Sequence, residues 1–394
     1  MRIIFFLLAV LLALPAAAQN MESVLRQIEQ NNTTLRAMGD GAEADRAGLR
    51  TGIALPDPEV EVARLWGTPA TIGNRTDVAV SQGFDIATVT GMKARQARRR
   101  GELLDLGVAA GRIEILLEAK LLCVELIHRN RLARELELRL QHALIISLGY
   151  ERGLANGTAN MLEVGKATLN TRTVEGEIAR NDVERNALMA ELRRLNGGVE
   201  VALDDLDFPV AALPADFEEW FAAAAERSPA MKYARREAEV ERRQVTLART
   251  ELLPALSVGY MRERTLGQHY QGVTVGGSIP LWAGAGRVKQ ARAAQAASEA
   301  RARDARVQMY EQLRGLYARA AGLRQTAYGL ADAADVGSAG GSNAALLKRA
   351  LDVGEISLLE YVLEMGLWYD ARVRALEAER DFQLAHSELT AVEL

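Results

Sequence analysis

The chain has 394 residues, 49% hydrophobic and 25% charged, with a formal net charge of −4. That balance excludes a disordered chain and fits either two ordinary domains or one elongated, duplicated architecture. The basic residues are scattered instead of forming the stripe that a phosphate backbone requires, so no nucleic-acid partner is expected. The single cysteine, Cys123 in EAKLLCVELI, excludes an intrachain disulfide and a CxxC metal or redox site, and reads as a small core residue.

Residues 1–18 read as a targeting segment. Arg2 supplies the charge, Ile3 to Leu14 the apolar run, and Ala16 to Ala18 the cleavage pattern, which places the mature N-terminus at Gln19 without lipid. The run is too short to span a bilayer as a helix, and no later stretch is long and apolar enough to do so. Any membrane crossing must therefore be made by strands.

The first half then reads as a helix over roughly 21–52, strands near 58–67 and 76–86, a long helix over 91–155, a turn, and a helix over 160–196. The second half reads as a helix over 216–252, strands in LSVGYMRER and GVTVGGSIPL, a long helix of about 67 residues, a turn, and a helix over 358–394. Proline is absent from 70–208 and from 281–394. Long helices persist in such tracts, because an interior proline costs about 3 kcal/mol. Two seams step by three and four: Leu313, Leu316, Ala320, Leu323, Ala327, Leu330, Ala334, and Leu359, Val362, Gly366, Tyr369, Val373, Leu376. At about 1.5 Å per residue a 65-residue helix is about 98 Å long, so one long helix beside two shorter ones predicts a rod or tube near that length.

The halves are repeats of one another at an offset of about 195 to 198 residues. LPDPEVEV from Leu55 recurs as LPALSVGY from Leu253, DVAVSQGFDI from Asp77 as GVTVGGSIPL from Gly272, and Gly91 as Gly286. In the fourth pair, LANGTANMLE against LDVGEISLLE, Leu154, Gly157, Leu162 and Glu163 face Leu351, Gly354, Leu359 and Glu360. The expected organisation is a first repeat over 19–200, a linker over 201–215 and a second repeat over 216–394.

The strands are near the 9 to 11 residues that a tilted membrane strand needs, with alternation visible at Val60, Val62 and Leu65 and at Val273 and Val275. Soluble sheets produce such runs as well. Because the smallest membrane barrel has about eight strands, four per chain require more than one chain.

The signal segment, the duplicated layout, the tip VGEISLLEYV and the junction IPLWAGAGR together resemble the TolC-type outer-membrane efflux proteins, over about 21–394. The resemblance implies a mainly α fold with β: duplicated long α-helical hairpins plus two β-hairpins, assembled as a homotrimer into an α-helical tunnel carrying a 12-stranded membrane barrel. It also implies an outer-membrane exit duct, with an inner-membrane transporter and a periplasmic adaptor as partners and outer-membrane lipid around the barrel. Length and the LPDPEVEV segment lean towards the branch serving heavy-metal and cation pumps. The first half departs from the pattern at Asp85, where a proline is usual, and at Glu163, where aspartate is commoner. A periplasmic coiled-coil adaptor or scaffold without a barrel is the alternative, although no lipoyl-like β segment is present.

No motif of hydrolytic, nucleotide or zinc chemistry occurs, and His128, His142, His269 and His386 lie far apart in sequence, so no enzyme and no cofactor are expected. Gly284 and Gly286 resemble a dinucleotide loop but Lys289 takes the third glycine's place, leaving a strand-to-helix turn. Gly337 to Ser342 reads as a kink or a hinge in a helix. Cys123 and His128 read as packing neighbours on one helix. Gly157 and Gly354 suit left-handed helix ends. Leu162, Glu163, Leu359 and Glu360 are the candidate adaptor-docking residues at the tip, on the premise that a helix turn needs only its glycine. Asp352 and Glu355, with the two glutamates, are either a solvated face or a ring of carboxylates constricting the tunnel.

Overall fold

The computed structural model describes residues 20–280, 282, 286–335 and 343–394. The targeting segment, Gln19, Gly284 and the Gly337–Ser342 stretch lie outside the described residues. In chain order the elements are α1 (Met21–Asn31), α2 (Thr33–Thr51), β1 (Glu59–Leu65), β2 (Arg75–Phe84), α3 (Ile86–Val89), α4 (Met92–Ala155), α5 (Met161–Leu195), α6 (Phe217–Arg227), α7 (Pro229–Thr250), β3 (Ala255–Thr265), β4 (Gln268–Ser278), α8 (Arg287–Asp335), α9 (Asn343–Asp352) and α10 (Leu358–Leu389). The chain is mostly helical with one small antiparallel sheet.

Two expected helices are interrupted. The first stops at Asn31, because Asn32 takes an extended backbone and its side-chain amide donates to the Leu195 carbonyl at 2.8 Å. Asparagine offers the backbone a local alternative to the helix, and here tertiary pairing takes it up. The helix expected over 216–252 breaks before Pro229, which sits at the first position of α7 with Ser228 as its cap. Proline has no N–H to donate and opens helices more readily than it continues them. Each repeat also places a left-handed glycine ahead of its long helix, Gly91 at φ +69° and Gly286 at φ +86°.

Two compact units form, and neither coincides with a sequence repeat. Unit 1 takes residues up to Thr33, Arg112–Trp220 and Gln312–Leu394; unit 2 takes Thr34–Gly111 and Phe221–Glu311. In unit 1, Val24 and Ile28 of α1 pack with Ala119, Cys123, Leu126 and Ile127 of α4 and with Leu192 and Leu195 of α5, all buried. The segment expected to be a linker belongs to this core. Val201 and Leu203 are buried, and Asn130 donates to the Leu203 carbonyl at 3.0 Å, Gln383 to that of Pro209 at 3.1 Å, and Tyr317 to that of Pro214 at 3.0 Å.

Along α8 the seam is as expected, with Leu313, Ala320 and Ala327 buried. On α10 it holds at Tyr369 and changes at the start of the helix. Tyr361, Met365 and Tyr369 form the buried row, with Val362 packed beside it, while Leu359 stays exposed. The Tyr361 ring and the Met365 side chain fill the space next to the expected Tyr369, whose hydroxyl lies 2.8 Å from His142 Nδ1.

The sheet lies in unit 2, with strand order β1-β2-β3-β4 and every pair antiparallel. Pairing of β2 with β3 joins the two repeats, and β1 and β4 are left as open edges.

Candidate functional site

Register sorts the strand residues into two faces. Residues directly opposite on neighbouring strands share a face, and residues two apart stay on it. One face carries Val60 and Val62 of β1, Val78, Val80 and Phe84 of β2, Leu256, Val258 and Tyr260 of β3, and Val273 and Val275 of β4. The other carries Glu59 and Glu61, Asp77 and Ser81, Ser257, Gly259 and Glu263, and Thr274, Gly276 and Ser278. Leu65, expected to alternate with Val60 and Val62, is an odd number of residues away and falls on the polar face opposite Arg75.

The apolar face is exposed on all four strands, whereas the polar face is half-buried on β2 and β3 and exposed on the edge strands β1 and β4. On β3 the residues of that face are exposed and those of the polar face half-buried, as in a sheet curled around its polar side. Val273 and Val275 are 73% and 76% exposed. Contiguous apolar surface of this kind marks an interface with protein or lipid. On β3, Tyr260 ends the apolar run, and its hydroxyl donates to Gln271 Oε1 at 2.9 Å in the next cross-strand row. Such amphipathic placement is the habit of aromatic residues at a membrane–water boundary.

The two helix turns of unit 1 are built alike. Gly157 and Gly354 have φ of +72° and +79°, the left-handed conformation expected of them. Thr158 N donates to Gly153 O at 2.8 Å and Gly157 N to Leu154 O at 3.2 Å; Glu355 N donates to Ala350 O at 2.9 Å and Gly354 N to Leu351 O at 3.1 Å. This is the Schellman pattern, written twice.

The glutamates also have a local task. Asn160 caps α5 by accepting from Glu163 N at 3.0 Å, and Glu163 Oε2 accepts from Asn160 N at 2.9 Å. Ser357 and Glu360 repeat this on α10, at 3.2 and 2.7 Å. These are capping boxes, so the premise that the turn needs only its glycine does not hold. The hydrogen bonds from the Ser357 backbone and side chain hold the Glu360 carboxyl below its usual range. The N-x-x-E and S-x-x-E spacings already carried this signal in the sequence.

The leucines have no such local role. Leu162 is 68% and Leu359 51% exposed, and Leu363 and Leu367 continue the exposed row of Leu359 at helical spacing. Both turns belong to one end of unit 1, where His142 of α4, Asn170 of α5 and Tyr361, Met365 and Tyr369 of α10 line a common cleft. Asp352 accepts from Lys348 at 2.7 Å in an exposed pair one helical turn apart, and Glu355 is exposed beside Gly354.

Deep in unit 1, burial pushes the Cys123 thiol up to about 12 and the His128 imidazole down to about 4, the latter helped by the nearby Arg380 and Arg129. Both are held in their neutral forms, as packing residues would be. Among the described residues, no group of His, Cys, Asp and Glu is arranged to hold a metal ion, and no helix is long and apolar enough to cross a membrane.

No protein-family model and no curated protein matches this sequence. Solved structures do match it. A membrane protein from Pseudomonas aeruginosa superposes with a TM-score of 0.75 at 16% identity, covering 96% of this chain and 97% of that one. The CmeC outer membrane channel of Campylobacter jejuni gives 0.73 at 14% identity over 95% and 85%, and the outer membrane protein VceC of Vibrio cholerae gives 0.71 at 13% over 94% of each. From its first described helix to its last, the chain has the TolC-type fold of the outer-membrane channels.

Proposed function

We propose that the protein is the outer-membrane exit duct of a tripartite efflux or secretion system, working as a homotrimer whose twelve strands close one barrel. The outward-facing apolar face of the four-stranded sheet carries this reading. Its polar face is the one a water-filled lumen requires, and its apolar face would meet lipid. The open edges at β1 and β4 leave backbone groups that only further strands can satisfy inside a bilayer. A scaffold without a barrel would leave that face in water.

The helices of unit 1 would stand in the periplasm, with the two turns as the tip. There the exposed Leu162 and Leu359 offer an apolar surface to an adaptor's helices, and Asp352 and Glu355, repeated by threefold symmetry, would surround a cation-favouring constriction. Selection of cargo, whether heavy-metal cations or small toxic molecules, would belong to the inner-membrane pump.

The test is made in cells lacking other ducts. The wild-type chain is expected in the outer-membrane fraction, as a trimer by native mass spectrometry in mild detergent, and to support export. Leu359→Asp is expected to keep the trimer and lose export. A monomer that washes off membranes would overturn the duct. Full export by Leu359→Asp would overturn docking at the tip.

A further inference from the structure

The apolar face of the sheet is not apolar throughout, and its charges are all of one sign. Cross-strand rows run from the helix-proximal end towards the turns. Val60, Val80, Tyr260 and Val273 make one row; Val62, Val78, Arg262 and Gln271 make the next; Arg64, Thr76, Arg264 and His269 make the last before the turns. The face therefore holds three arginines and no carboxylate. The opposite face holds Glu59, Glu61, Asp77 and Glu263 against the single Arg75, which pairs with Asp77 at 2.9 Å and Glu263 at 3.1 Å. Among the described residues, no ion pair engages Arg64, Arg262 or Arg264, and all three are exposed.

Three unpartnered guanidinium groups on a lipid-facing surface are tolerated only where they reach interfacial water or an anion, and their clustering without a carboxylate favours the anion. Their spacing suits one. Arg262 and Arg264 are two residues apart on one strand, about 7 Å, and Arg64 lies two strands from Arg264, about 10 Å. Long arginine stems lie along apolar surface while the heads reach outward, and the guanidinium fork matches phosphate oxygens bidentately. The helices leave the sheet at its opposite end, so in the duct these arginines stand at the outer leaflet.

On the duct reading above, we infer that Arg64, Arg262 and Arg264 form a site for the phosphate-bearing headgroup of an outer-leaflet lipid. Tyr260 marks the lower boundary of that headgroup layer. One such site per protomer would place three around the barrel.

The test uses the full chain, purified in mild detergent and followed by native mass spectrometry. The probes are a bisphosphorylated glucosamine lipid, its phosphate-free counterpart and inorganic pyrophosphate. At about a fivefold factor per arginine near a charged surface, the variant Arg64→Gln/Arg262→Gln/Arg264→Gln should bind the phosphorylated lipid on the order of 100-fold more weakly. The corresponding triple lysine variant should retain most of the binding, and Arg75→Gln should match wild type. Equal retention of the phosphate-free lipid, or of phosphorylated lipid by the glutamine variant, would overturn the site. Displacement by equimolar pyrophosphate would reduce it to a free-anion site and overturn the lipid assignment. A wild-type chain that leaves the membrane in carbonate would remove the barrel reading and the site together, whereas membrane retention with unaltered lipid binding in the variant removes the site alone.

Discussion

Unit 1 and the sheet of unit 2 use the same aliphatic residues in opposite senses. Val24 and Ile28 in unit 1 are 0% exposed, enclosed by α4 and α5, whereas Val273 and Val275 stand out from β4 at 73% and 76%. Periodicity is respected in both, every three or four residues on α1 and every second residue on β4. What differs is the surrounding medium for which each pattern is suited: water around unit 1, which drives apolar groups inward, and hydrocarbon around the sheet, which tolerates them outside.

The sharpest way to break that comparison is to charge the outer face of the sheet. On the duct reading, Val273→Arg/Val275→Arg is expected to abolish the proposed outer-membrane trimer, because each arginine near the bilayer midplane would cost about 2–4 kcal/mol and every chain would carry both. Glu61→Arg, on the polar face of β1, should leave the trimer intact. Equal assembly of the two variants, read by membrane fractionation and native mass spectrometry, would mean that the apolar face does not meet lipid.

A smaller effect is expected where apolar groups point inward. Ile28→Ala should cost about 2–5 kcal/mol through the cavity it leaves among Cys123, Leu126 and Ile127, seen as a lower helical melting temperature by circular dichroism. The four strands of unit 2 should be untouched. A loss below about 1 kcal/mol would show that this layer collapses around the gap and is less of a core than its burial implies.

The smallest effect belongs to the turns. Glu163→Ala and Glu360→Ala should each cost about 1 kcal/mol, as faster amide exchange at the start of α5 or α10, while the glutamine variants, which keep an acceptor for the Asn160 or Ser357 N–H, should cost less. If glutamine and alanine behave alike, the negative charge near the helix N-terminus matters more than the hydrogen bond.

Much of this was legible from residues alone. The four strands, the long helix of the first half and the two glycine turns were readable because each rests on local chemistry: β-branched alternation, a proline-free tract, and glycine where φ must be positive. Reading failed where a competing contact decided the outcome. Asn32 stops α1 because Leu195 offers an acceptor, and on α10 Tyr361 and Met365 join the expected Tyr369 in the buried row while Leu359 is left outside it. At the turns the glycine and the glutamate are both visible in the sequence, and the structure adds the glutamate's role as a cap.

By itself the sequence determined the repeat, through its offset of about 195 to 198 residues, and the element types with the partial alternation along the strands, which follow from spacing within a dozen residues. Only the tertiary structure decided that the compact units cut across the repeats, that Val201 and Leu203 of the connecting segment pack into the core of unit 1, and that β2 pairs with β3 to put Arg64, Arg262 and Arg264 on one face. Those outcomes depend on register and on partners more than 100 residues away, and local propensity does not encode which distant strand or helix will satisfy a given edge.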